Sequence, residues 1–156
     1  MPKSEPQAVT GTVRLNRVFK CPPERIYKAV LDPAANCKWL PPNGFTCTVH
    51  ELDAREGGRY KMTFTNFSTG SSHSFGGTYL ELIPGERIVA TDVFDDPDMP
   101  AEMRTTYTLN KVLCGTELSI VQHGIPAMIT TDMCYLGWQE SLDALARLVE
   151  PDIPDM

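Results

Sequence analysis

Arg59-Tyr60-Lys61-Met62-Thr63-Phe64 alternates without a break, with Tyr60, Met62 and Phe64 on one face and polar residues on the other. A period of two marks a strand with one face buried, because successive side chains leave a pleated backbone in opposite directions. Thr105-Tyr107-Leu109 and Leu118-Ile120 continue the pattern less strictly. From Phe45 to His123 the apolar runs are divided by Glu56-Gly57-Gly58, Thr69-Gly70-Ser71-Ser72, Pro84-Gly85, Asp95-Asp96-Pro97-Asp98 and Cys114-Gly115. Such short turn-forming clusters return a chain on itself, so this span predicts an antiparallel meander of about six strands.

Outside the meander, Thr12 to Phe19 begins with the same alternation and predicts a first strand. Pro22-Pro23 then opens a helix through Leu31, since proline suits a first helical turn and Ile26, Ala29 and Val30 recur at helical spacing. Asp32-Pro33 stops it, and Ala34 to Trp39 adds a further turn before Pro41-Pro42-Asn43-Gly44. After Pro126 the period becomes helical: Met133, Leu136, Gly137, Leu142, Leu145, Ala146 and Val149 trace a long amphipathic helix ending near Pro151. The expectation is an α+β fold, a curved antiparallel sheet of about seven strands wrapped around a long C-terminal helix, with short helices after strand one. Residues 10–150 read as one domain and residues 1–9 and 151–156, proline-bearing and mostly polar, as flexible tails.

Composition narrows the function classes. With 156 residues, 42% of them hydrophobic and 22% charged, the chain has ordinary globular composition. Its 14 Lys and Arg are scattered against 20 Asp and Glu, and the net charge of -6 argues against nucleic acid, which requires clustered positive charge. The N-terminus lacks a charged segment followed by an apolar one, and no run approaches the roughly 18 apolar residues of a membrane span, so a cytoplasmic location is expected. Cys21, Cys37, Cys47, Cys114 and Cys134 are widely spaced without a C-x-x-C, which reads as reduced, mostly buried thiols rather than a metal site.

The stretch Gly77-Thr78-Tyr79-Leu80-Glu81-Leu82-Ile83-Pro84-Gly85-Glu86-Arg87-Ile88-Val89 resembles the G-x-Y-x-E-I-x-P-x-x-R-I-V pattern of the Aha-type activator homologues, named for stimulating a chaperone ATPase, within the START-like (SRPBCC) superfamily. Lys38-Trp39-Leu40-Pro41-Pro42-Asn43-Gly44-Phe45 is similar to the family's K-W-W-x-P-x-G-F segment, with Leu40 in place of the second tryptophan. Gly115 to Ile120 resembles its G-T-x-L-x-I strand, and Gly137-Trp138 with Leu142 and Leu145 resembles its C-terminal G-W-x-x-x-L-x-x-L helix. The resemblance spans residues 10 to 150 and implies a helix-grip fold with an internal cavity between sheet and helix, used across the superfamily for lipids, polyketides, hormones or aromatic hydrocarbons. Its motifs are architectural and fix no substrate.

Candidate cavity residues are Trp39, Phe45, Met62, Phe64, Tyr79 and Phe94, then Tyr107, Met128, Met133 and Trp138, since ligand pockets are apolar and aromatic with a few polar anchors. Taken singly, each is more often core than contact. The polar candidates are Asp92 and His123, then His73 and Asp132, of which His73 and also His50 read as exposed. Met128 and Met133 read as an adaptable lid or as fillers of a core gap. No nucleophile elbow, Walker loop, H-E-x-x-H, EF-hand loop or dinucleotide fingerprint occurs, and neither a cofactor nor a metal is assigned. The expected function is binding of a hydrophobic or amphipathic small molecule. The alternatives are a cyclase or hydrolase that pairs His123 with Asp92 or Asp132, for which no catalytic residue is assigned, and a chaperone-directed interaction; a homodimer is left open.

Overall fold

The computed structural model describes residues 10–99 and 101–155; the expected tail over 1–9 lies outside them. Seven strands follow the order β1-β7-β6-β5-β4-β3-β2, with every neighbouring pair antiparallel. The chain runs β1 (Thr10–Phe19), α1 (Pro23–Leu31), α2 (Pro33–Trp39), β2 (Phe45–Leu52), β3 (Arg59–Asn66) and β4 (Ser72–Ile83), then β5 (Arg87–Phe94), β6 (Glu102–Val112), β7 (Gly115–Pro126) and α3 (Thr131–Val149). The chain is thus α+β as its periodicities imply, and each turn cluster lies between the strands it was read to separate.

Because β1 and β2 occupy opposite edges of the sheet, the two short helices between them carry the chain from one edge to the other. Asp32 accepts from Ala35 N at 3.0 Å and caps α2, leaving the tight break that Pro33 requires between the helices. Trp39, wholly buried, donates its indole N–H to the Ala29 carbonyl at 2.9 Å and binds α2 to α1. Thr130 caps α3 by accepting from Met133 N, and at the far end Arg25 donates to the carbonyl of Val149 at 2.8 Å.

The core lies between the concave face of the sheet and the C-terminal half of α3. Leu142, Leu145 and Val149 are completely buried against a cluster that includes Phe19, Ile26, Leu118 and Ile120. Each such side chain contributes about 1.5–3 kcal/mol by leaving water. The N-terminal half of α3 behaves differently: its buried residues are confined to Ser141 and beyond.

Strand register shifts between Tyr79 and Glu81, between Val49 and Glu51 and between Gly11 and Thr12, and such bulges bend the strands they interrupt. The five cysteines depart from the expected burial. Only Cys21 is buried, Cys37, Cys47 and Cys134 are half-buried, and Cys114 is exposed because it sits in the tight turn between β6 and β7. Burial, with Cys37 beside it, pushes the Cys47 thiol up to about 12. Among the described residues no helix is long and apolar enough to cross a membrane.

Gly77 lets β4 approach β5 closely: a Cβ there would stand 1.9 Å from the Thr91 carbonyl oxygen. Gly77→Ala is therefore expected to destabilise the protein by about 2 kcal/mol or more, because the obstructing atom is backbone and cannot swing away. Urea denaturation measures this, and a loss within about 0.5 kcal/mol would mean that the strands separate without cost.

Candidate functional site

Alternation along the central strands directs one set of side chains to the concave face. Tyr60, Met62 and Phe64 come from β3, Phe75 and Tyr79 from β4, and Ala90, Asp92 and Phe94 from β5. Met103, Thr105 and Tyr107 follow from β6, and Gln122 from β7. Under the N-terminal half of α3, where no helix residue is fully buried, these residues line a cavity of about 210 Å³. Cys134, Gly137, Trp138 and Ser141 face it from α3, and Val30, Asn36 and Leu40 close its floor. Leu40, the substitute for a second tryptophan in the resembling segment, thus borders the space directly.

Of the twelve candidate side chains, Met62, Phe64, Tyr79, Asp92, Phe94, Tyr107 and Trp138 line the cavity. The other five do not. Trp39 is spent on joining the short helices in the core. Phe45 lies at the sheet margin, with its ring 6.1 Å from that of His73. Met128 and Met133 are 66% and 67% exposed, pointing into solvent around the start of α3, so they neither fill a core gap nor touch the cavity.

His123 requires the clearest correction. On β7 the buried positions leading up to His123 are Thr116, Leu118, Ile120 and Gln122, so His123 falls on the opposite face. There its Nδ1 lies 3.4 Å from Thr12 Oγ1, exposed and on the far side of the sheet from Asp92. Asp132 is exposed on the first turn of α3. Neither residue forms a pair with Asp92, and the arrangement on which a His123-based catalyst depended is not present. His73 is exposed as expected, and it also forms the mouth of the cavity, its ring 5.8 Å from Phe64 and 5.9 Å from Phe94. This partial burial lowers its pKa.

Asp92 instead meets Tyr60. The Tyr60 hydroxyl is within hydrogen-bonding reach of the Thr91 carbonyl oxygen, at 2.7 Å, and of the Asp92 carboxylate. A phenol has one proton to donate. When Asp92 is protonated the chain is complete, Asp92 donating to Tyr60 and Tyr60 to Thr91; when Asp92 is ionised, Tyr60 turns its proton to the carboxylate. Burial raises the Asp92 pKa to about 6, and the Tyr60 hydrogen bond lowers it in partial compensation. Burial likewise raises Tyr79 and Tyr107, with the charge of Asp92 adding to both shifts.

Other polar groups point into the same space. Trp138 donates to Gln122 Oε1 at 2.9 Å, fixing that amide. Thr105 Oγ1 and Asn36 Nδ2 are buried without a hydrogen-bond partner among the described residues. Such groups are costly to leave unmatched. Tyr60, Thr105, Gln122 and Asn36 were absent from the expected set, although Tyr60 shares its face with Met62 and Phe64, and Thr105 with Tyr107 and Leu109. No group of three or more potential metal ligands is assembled among the described residues.

Comparison with known proteins follows the fold. Residues 20–150 match the model of a family described as "Activator of Hsp90 ATPase homolog 1-like protein". A crystal structure of a Chromobacterium violaceum protein is 61% identical, with a TM-score of 0.89 over 90% of this chain and 98% of that one. A Rhodobacter sphaeroides protein at 20% identity has a TM-score of 0.78, covering 90% of this chain and 96% of its own. The AHSA1 protein from Silicibacter pomeroyi, at 23% identity, reaches 0.76 over 88% and 96% of the two chains. No curated protein gives a significant match.

The elevated pKa of Asp92 carries a stability consequence. The folded protein holds this proton more tightly than the unfolded chain, where the group titrates at 3.8, so the contribution of the neutral acid is complete below about 4 and is lost as pH rises through about 6. Ionisation then costs on the order of 3 kcal/mol before relaxation. Asp92→Asn, neutral at every pH, is expected to raise unfolding free energy at pH 8 by roughly 1–3 kcal/mol, with the gain vanishing below about pH 4. Denaturant titrations at the two pH values decide it, and an Asn variant weaker than the parent at pH 8 contradicts the assignment.

Proposed function

The chain belongs to the activator of Hsp90 ATPase homolog 1-like family, and from that premise we propose that it binds a compact hydrophobic or amphipathic small molecule in the cavity between the sheet and α3. The observation that carries the reading is Gly137. It stands inside a 19-residue helix, faces the cavity, and a Cβ there would meet nothing within 4 Å. Glycine in a helix interior costs about 1 kcal/mol against alanine. No neighbour forces glycine on this position, so its effect is to leave the cavity unfilled.

Size and lining narrow the ligand class. An apolar cavity of roughly 150 Å³ admits benzene, and about 210 Å³ therefore favours a molecule of one or two rings over a long acyl chain. Seven tyrosine, phenylalanine and tryptophan side chains give the wall its aromatic surface, with isolated polar groups to orient the occupant.

One observation favours a second reading, proton transfer on the bound molecule: Asp92, with its raised pKa, touches Tyr60 inside an apolar enclosure. Exchange of the α-protons of 2-tetralone in deuterated buffer tests it, with a rate enhancement that Asp92→Asn abolishes as the supporting result. A chaperone-directed role rests on the family's description alone.

The binding reading is tested by changing Gly137. Gly137→Ala is expected to gain up to about 1 kcal/mol in stability. Gly137→Leu is expected to remain folded while occupying the cavity. In a thermal-shift series with indole, 2-naphthol and smaller phenols, the parent protein should melt higher at saturating ligand, by the equivalent of about 2.7 kcal/mol at a hundredfold excess over Kd. The Leu variant should show no shift. Equal shifts in both proteins, or none in the parent, contradict the proposal.

A further inference from the structure

Asp92 is a half-buried carboxylate in a cavity that offers it no positive charge. No lysine or arginine lines the space among the described residues, and none of the ion pairs in the described structure includes Asp92. The titratable groups facing the cavity around it are Tyr60 on β3, Tyr79 on β4, Tyr107 on β6 and Cys134 on α3. Each of these is neutral or negative, never positive. His73 on β4 is the one group able to become cationic, but it stands at the mouth and partial burial opposes its protonation.

Folded proteins rarely leave a buried anion uncompensated, because removing it from water costs several kcal/mol unless a counter-charge is supplied. Here the compensating charge has room to arrive with the ligand. A second acceptor stands nearby. Asp92 is paired across the strands with Met103 and Ala90 with Thr105, so Thr105 is the diagonal neighbour of Asp92 on the same face. Its hydroxyl oxygen is fully buried and has no partner among the described residues. An ammonium group carries three donors, enough to serve the carboxylate and this hydroxyl together. The surrounding Tyr60, Tyr79, Tyr107 and Trp138 are of the side-chain type whose π faces attract cations.

Resting on the small-molecule reading above and narrowing it, we propose that the cavity selects a compact aromatic amine, its ammonium held by Asp92 and Thr105 and its ring packed among the tyrosines and Trp138. A ligand carboxylate or phosphate would face Asp92 as a like charge. A neutral alcohol would satisfy a hydrogen bond and leave the charge unbalanced. Selectivity for the amine therefore exists above about pH 6, where Asp92 is ionised, and is lost as pH falls through that value.

Three probes with one common body separate these cases: 2-phenylethylammonium, 2-phenylethanol and 3-phenylpropanoate, titrated calorimetrically into the full chain at pH 7.5 and pH 5. At pH 7.5 the ammonium is expected to bind at least about tenfold more tightly than the alcohol, the low end for a charge-assisted hydrogen bond, and the propanoate most weakly. Asp92→Asn should reduce the ammonium-to-alcohol ratio to within about twofold, and pH 5 should do the same to the parent protein. Thr105→Val should weaken the ammonium more than the alcohol. An alcohol that binds as tightly as the ammonium overturns the amine assignment and leaves the binding site standing, as does a preference that survives Asp92→Asn. If none of the three probes binds, the assignment falls together with the cavity reading.

Discussion

The docking of one half of one helix governs this molecule. Leu142, Leu145 and Val149 seal the C-terminal half of α3 onto the sheet, with each side chain removed from water. The buried residues of α3 begin at Ser141, so the helix is sealed along its second half only. Before Ser141 the helix keeps contact through Trp138, which bonds Gln122 and meets the Tyr107 ring, and the space lies beside that contact. The same apolar contact that closes the core bounds the cavity at one end, and Gly137, one turn earlier, presents no side chain to it.

What fills the cavity walls differs from what fills the core. Beneath the sealed half, aliphatic residues such as Leu118 and Ile120 pack without polar atoms. Beneath the open half, strands of the same sheet contribute Asp92, Thr105, Gln122 and the hydroxyls of Tyr60, Tyr79 and Tyr107. Buried polar groups destabilise a fold unless they are matched, and among the described residues the Thr105 hydroxyl, together with the Asn36 amide from α2, is unmatched. A stability cost concentrated around an enclosed space is characteristic of a site shaped for an occupant.

Much of this was legible in the chain. The unbroken alternation of residues 59–64 and the turn clusters between Phe45 and His123 set the meander, because a period of two admits no helix. The cavity-facing aromatics followed from the same alternation. The errors have separate causes. His123 was chosen for its chemistry, while the parity of Leu118 and Ile120 already placed an odd-numbered neighbour on the outer face. Trp39 was assigned to the cavity because aromatic residues serve core and pocket equally; only its bond to Ala29 distinguishes the two. Met128 and Met133 precede the helical face that turns inward, and a helical period alone does not reveal where along a helix burial begins. Asn36 and Ser141 carry no pattern, since an inward polar residue in a helix looks like a solvent-facing one until the packing partner is known.

The chain holds two tryptophans, and only Trp138 borders the cavity. Trp39→Phe therefore leaves a single fluorescent reporter at the site, its indole fixed by Gln122. Titrating that variant with 2-naphthol or indole-free phenols, while following Trp138 emission, tests the central claim directly. A saturable change, absent when Gly137→Leu is added, is the predicted result. Emission that stays constant with every ligand small enough for about 210 Å³ would contradict the account, leaving the space a packing gap rather than a site.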